Sequence, residues 1–271
     1  MSRSEWCALI ALTLFFPAEL HADTGVPVMI AIPKGAFVFG TADPLTQPFM
    51  SEELPEINID VDAFEISQTE ITEQYWSACV NAGRCNALPS YVRKSSKHPA
   101  RNMSWQDAQT YVAWLNDGQS EYAYSLPTER QWEYAAKAGL EQDYWRTWTA
   151  TTKRENVRGD RVPGQVKTYF ELLPVSVSQL NEFGVANMIG GVSEYTRECW
   201  NDTSRAREGD TENIVRSESP DCKYIVVRGG NFATTGNIAR PTMRFLGNPS
   251  GSAKTIGFRV VRVPADYSPS R

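Results

Sequence analysis

The chain has 271 residues, of which 41% are hydrophobic, 22% charged and 11% aromatic. That apolar content is ample for a buried core and excludes a wholly disordered chain. The net charge of −5 excludes a protein whose main task is holding phosphate backbones, so no nucleic-acid partner is expected.

In chain order, the first segment reads as a targeting signal. Arg3 precedes an uncharged apolar run from Cys7 to Phe16, which Pro17, Glu19 and His21 break ahead of the small residue Ala22. The run is shorter than the roughly 18 apolar residues a membrane helix needs, and no later stretch approaches that length. The expectation is a signal peptide over residues 1–22 and a single exported domain over 23–271, periplasmic or secreted, with no stable membrane insertion.

Val28 to Pro33 and Ala36 to Phe39 read as a strand pair turned at Lys34-Gly35, and Ile57, Ile59 and Val61 alternate with polar residues as in a half-buried strand. Three helices are predicted from their ends. Thr72 caps a helix through Trp76 and Val80 that stops at Gly83. Ser104 caps Trp105 to Asn116, with Trp105, Ala108, Tyr111, Val112 and Leu115 on one face. Thr128 with Gln131 forms a capping box opening Glu129 to Ala138. Beyond Ala150 the chain breaks into short apolar runs, clearest at Tyr224 to Val227 and Phe258 to Val263. Short helices in the first half and short strands in the second indicate an α+β domain with long loops. Loops of that kind bury little and need an external staple.

Past the leader remain four cysteines, at 79, 85, 199 and 222, and one histidine, His98. An even count in an exported chain favours disulfides. Four cysteines allow three pairings, and we take the local ones, Cys79–Cys85 and Cys199–Cys222. With no CxxC spacing and one histidine, a zinc or iron shell is not expected. His98 reads as an exposed residue of a basic loop. Lys153, Arg154, Arg158 and Arg161 read as a solvated loop, and the tryptophans at 76, 105, 132, 145 and 148 as core and groove wall. Asn201-Asp202-Thr203 is a sequon.

Six blocks then occur in a distinctive order. They are Ile71-Thr72-Glu73-Gln74-Tyr75; Asn102-Met103-Ser104-Trp105; Leu126-Pro127-Thr128-Glu129-Arg130-Gln131-Trp132-Glu133-Tyr134; Asn187-Met188-Ile189-Gly190-Gly191-Val192-Ser193-Glu194; Val227-Arg228-Gly229-Gly230-Asn231; and Ile256-Gly257-Phe258-Arg259. Over about residues 28–263 the chain resembles the sulfatase-modifying-factor, or formylglycine-generating-enzyme, family. The resemblance implies an irregular, loop-rich α+β fold related to C-type lectins and carrying structural calcium. The family's best-known activity is copper-dependent oxidation of a substrate cysteine to formylglycine through two enzyme cysteines.

The family's two cysteines fall here on Thr234 and Ala239. Cu(I) is a soft ion that needs thiolates, which a hydroxyl and a methyl cannot replace, so no copper is expected. Two neighbours also depart from the pattern: Asn231 stands for the family serine and Ser193 for its tryptophan. The resemblance places calcium ligands on Asn187, Gly190, Val192 and Glu194. It does not carry over a second calcium site, whose residues would be Asn156, Val157 and Lys167. Arg240, Arg244 and Arg259 are expected to bridge loops rather than catalyse, and Glu133 and Glu194 are the most plausible carboxylates for acid–base work. The expectation is a catalytically silent, monomeric or weakly dimeric module that binds another envelope protein or a peptide, of the kind found beside kinase pathways controlling type VI secretion. The alternative is an oxidoreductase of the same fold acting on a peptide or a siderophore-type substrate, or formylglycine generation itself.

Overall fold

A computed structural model describes residues 25–41, 53, 56–139, 171–178, 180–200, 222–234 and 239–268. The predicted leader, Trp145, Trp148, the basic loop from Lys153 to Arg161, Lys167 and the Asn201 sequon lie outside the described residues.

All three helices begin where hydroxyl caps place them. α1 (Glu73–Asn81) starts at Thr72, whose side chain accepts the Tyr75 N–H. α2 (Trp105–Asn116) and α3 (Glu129–Lys137) open with complete capping boxes at Ser104–Asp107 and Thr128–Gln131. Each cap satisfies an amide that the helix cannot. The buried residues of α2 are Trp105, Ala108, Tyr111, Val112 and Leu115, the stripe read from the spacing. Ala138 closes α3 in a left-handed conformation.

The strand pair expected around Lys34-Gly35 does not form. β1 (Met29–Ile32) pairs with β4 (Phe64–Ser67), whereas β2 (Gly35–Phe39) pairs with β3 (Ile57–Val61). Proline explains the exchange. A two-residue hairpin would need the Pro33 N–H in its closing pair, and Pro33 has none. The chain bends there and again after β3, so two strand pairs swap partners instead of closing on themselves.

β1 and β4 join β5 (Tyr122–Ser125) and β10 (Val261–Pro264) in an antiparallel sheet ordered β1-β4-β10-β5. The second four-stranded sheet is β8-β7-β6-β9, from β6 (Ser193–Cys199), β7 (Ile225–Arg228), β8 (Arg244–Gly247) and β9 (Ile256–Gly257), with β6 and β9 parallel. Strands are therefore not confined to the second half. β5 was not among the strands read from the sequence. The fold class is nonetheless α+β, as read.

Two apolar clusters hold these layers. One gathers α1 and α2 around Trp76, Tyr111 and Phe258, with Trp76 stacked on Tyr111 at 5.8 Å between ring centroids. The other gathers Ile32, Phe39, Ile66 and Val261 around Trp132 of α3. Disulfides join Cys79 to Cys85 and Cys199 to Cys222, the local pairing. His98 is half-buried rather than exposed: it meets the Ser95 hydroxyl at 2.7 Å through Nδ1, and burial lowers its pKa.

Candidate functional site

Two glycine turns meet at the end of the second sheet. Asn187, Gly190 and Gly191 have φ of 54°, 85° and 61°, and Gly229 and Gly230 have φ of 90° and 69°. Glycine tolerates this left-handed backbone without penalty. The Gly190 N–H donates to the Gly229 carbonyl at 3.1 Å and the Phe232 N–H to the Gly191 carbonyl at 2.9 Å, so the turns are locked together. β6 leaves the first turn and pairs with β7 entering the second, Glu194 opposite Arg228.

Glu194 is buried, and both of its oxygens accept hydrogen bonds. Arg259 grips it with a fork, Nε to Oε2 at 2.6 Å and Nη2 to Oε1 at 2.8 Å, while the Trp132 indole N–H donates to Oε2 at 2.7 Å. The same guanidinium donates to the carbonyls of Ser67, Ala186 and Asn187. One arginine thus ties β4, the glycine turn and β6 together, the forked bridging role expected of it. Arg244 forks onto Glu129 at 2.7 Å for both bonds, and Arg240 pairs with Glu53 inside the protein. Glu133 is equally committed: Arg228, Lys137 and the Gly40 N–H all bind it, and despite its burial Lys137 and Arg228 hold its pKa below the ordinary value. Both Glu133 and Glu194 are thus held in buried ion pairs.

A carboxylate not anticipated from the sequence completes the cluster. Glu70, on the loop between β4 and α1, is buried and accepts the Asn187 side-chain amide at 3.1 Å through Oε2. Its Oε1 has no hydrogen-bond partner and lies so close to Gly191 that any Cβ there would collide with it. Burial, then the Glu194 charge, push its pKa up to about 8. The available signal was a lone glutamate between the apolar residues Ile66 and Ile71, which the helix cap two residues later overshadowed.

Glu70 thus bonds to Asn187 and feels the charge of Glu194. Two buried carboxylates face one arginine, and a buried carboxylate oxygen is orphaned. An orphan of this kind needs an explanation, and a bound cation is one. The donors are hard oxygens of carboxylate, amide and carbonyl origin, and Oε1 of Glu194 keeps a lone pair beyond its arginine bond, so the residues fit Ca²⁺. Among the described residues no group of three or more His, Cys, Asp or Glu side chains is arranged to hold a metal, so such a site would rely on amide and backbone oxygens.

The four positions that depart from the family pattern also come together. A Cβ built on Gly230 would stand 3.1 Å from the Ala239 Cβ and 3.3 Å from the Thr234 methyl. The Asn231 side-chain amide donates to the Ser193 hydroxyl at 2.9 Å, and the Asn231 N–H donates to the Thr234 hydroxyl at 3.0 Å. The Asn231 side-chain carbonyl accepts the Ala233 N–H at 3.0 Å. Polar groups here are spent on one another, and no thiol stands among the four.

Comparison with known proteins places the chain among relatives of the same fold. Formylglycine-generating enzyme of Bos taurus is 24% identical over 303 residues, covering 89% of this chain and 75% of that protein. Inactive C-alpha-formylglycine-generating enzyme 2 of Mus musculus is 24% identical over 281 residues, covering 86% and 85%. The solved structure of PvdO from Pseudomonas aeruginosa superposes with a TM-score of 0.70 at 23% identity, covering 90% of this chain and 97% of that one. The sulfatase-modifying factor enzyme 1-like domain matches residues 17–264, and the chain belongs to that family.

Proposed function

We propose that the chain is a catalytically silent member of its family, exported to the periplasm, that works as a binding or regulatory module. The observation that carries this reading is the convergence of Ser193, Asn231, Thr234 and Ala239 beside Gly230, where a hydroxyl and a methyl stand in the places of the two thiols and the polar groups bond to one another. Chemistry on a substrate thiol by the family's route needs a soft-metal anchor. The likeness to a protein named as an inactive formylglycine-generating enzyme supports the same reading. A role upstream of a kinase pathway controlling type VI secretion is the specific form of it. Structural Ca²⁺, held by Asn187, Gly190, Val192 and Glu194 with Glu70 alongside, would neutralise the buried negative charge and brace the two glycine turns.

The test is copper. The purified protein is titrated with Cu(I) against a chromophoric chelator, and oxygen uptake is followed with a cysteine-bearing peptide. No tight copper binding and no uptake are expected, whereas the double variant Thr234→Cys with Ala239→Cys gains Cu(I) binding because the two positions adjoin. Tight copper in the unaltered protein, or an aldehyde on the peptide, overturns the reading in favour of an oxidoreductase.

A further inference from the structure

The segment from Tyr91 to Arg101 contains Arg93, Lys94, Lys97 and Arg101 and no acidic residue, in a chain of net charge −5. Arg93, Lys94 and Lys97 are exposed, and Tyr91 is 67% exposed. Lys254, from the loop before β9, adds its ammonium 4.9 Å over the Tyr91 ring.

This surface is built, not incidental. Arg101 is buried; its Nη1 donates to the Lys254 carbonyl at 2.7 Å and its Nη2 to the Val92 carbonyl at 3.1 Å. The loop is also fastened to the start of α1, with the Glu73 N–H donating to the His98 carbonyl at 2.8 Å and the Gln74 N–H to the Ser96 carbonyl at 3.1 Å. The Glu73 carboxylate accepts the Lys94 N–H at 2.8 Å. The cations thus stand on a fixed frame and need little ordering when a partner arrives. The Arg101 guanidinium also lies 5.8 Å from the Phe232 ring, next to Asn231. One buried arginine therefore joins the basic surface to the cluster of four altered positions.

We infer that the Tyr91–Arg101 loop and Lys254 form a docking surface for an acidic, extended protein segment. The inference rests on the binding reading above and names the chemistry of the partner. The carboxylates would be drawn by Arg93, Lys94, Lys97 and Lys254. Two acidic side chains lie close by: Glu73, whose carboxylate accepts the Lys94 N–H, and the exposed Glu171, whose carboxylate lies 3.6 Å from the Lys94 ammonium. A short segment meets only this surface. An anionic bilayer would meet a whole face of a chain that is negative overall.

The probe is a fluorescent decaglutamate peptide titrated with the purified protein, read by anisotropy. Saturable binding that weakens as salt rises is expected. It should weaken at least about tenfold in Arg93→Glu with Lys97→Glu, since two like-charge contacts replace two attractive ones. Lys34→Glu with Lys223→Glu, at other exposed cations, changes net charge equally and should leave binding within about twofold. Absence of binding, equal binding by both double variants, or a preference for anionic phospholipid vesicles overturns the inference. The copper titration reads the proposal of catalytic silence separately: a copper-free protein that ignores the peptide refutes only the docking surface, and one that binds copper refutes only the catalytic silence.

Discussion

Replacing Glu194 with alanine would test the cluster at the centre of the molecule. The substitution takes both carboxylate oxygens from Arg259, which is fully buried, and the acceptor from the Trp132 indole N–H. Breaking one side of a buried ion pair costs about 3–5 kcal/mol, because the remaining charge is left uncompensated in a medium that solvates it poorly. In a chain of this size each kcal/mol moves the unfolding midpoint by about 2–4 °C, so a fall of about 10 °C is expected. Circular dichroism with a chelator present isolates this term from any metal. A fall of under about 3 °C would refute the argument, since that is what a solvent-exposed pair is worth. Repeating the scan with added Ca²⁺ addresses the cation: the midpoint of the unaltered protein should rise with concentration and that of Glu194→Ala should not. An equal rise in both would place the ion elsewhere.

Glu198 on β6 is buried, and burial followed by the neighbouring Glu129 pushes its pKa up to about 8. A carboxyl raised in the folded state holds a proton that the unfolded chain releases near its ordinary value of 4.5. Its stabilisation is present in acid and is lost as pH rises toward about 8. In chelator, the midpoint should therefore decline from about pH 5 to about pH 8, less steeply in Glu198→Gln; superimposable profiles would refute this. Tyr111→Phe removes a buried hydroxyl that donates to the Gly25 carbonyl at 2.8 Å. It should cost about 1–3 kcal/mol by denaturant titration, and an unchanged midpoint would mean that the N-terminal segment is not anchored there.

Much of the fold was legible wherever the signal was local. Thr72, Ser104 and Thr128 start helices because each satisfies an amide two or three residues away, a relation contained in a few consecutive residues. The α2 stripe is a matter of spacing, and local closure made the cysteine pairing a sound choice. Strands fared worse. β1 and β2 are adjacent in sequence but belong to different sheets: β1 residues pair 32–38 residues on, and β2 residues 18–26 residues on. The length of β6 was hidden because its first residues read equally well as the end of a glycine turn.

Composition, the caps and the order of six short blocks by themselves determined the class of fold, the family and the absence of thiols at 234 and 239. Only the tertiary structure decided that Glu70 joins Asn187 and Glu194, that Arg259 holds β4 and β6 together, and that Arg101 connects a basic surface to Phe232 beside the altered positions. The physical reason is range. A cap or a periodic stripe is an interaction among near neighbours along the chain. A buried charge is satisfied by whatever the folded chain brings beside it: 117 residues separate Glu70 from Asn187, and 65 separate Glu194 from Arg259.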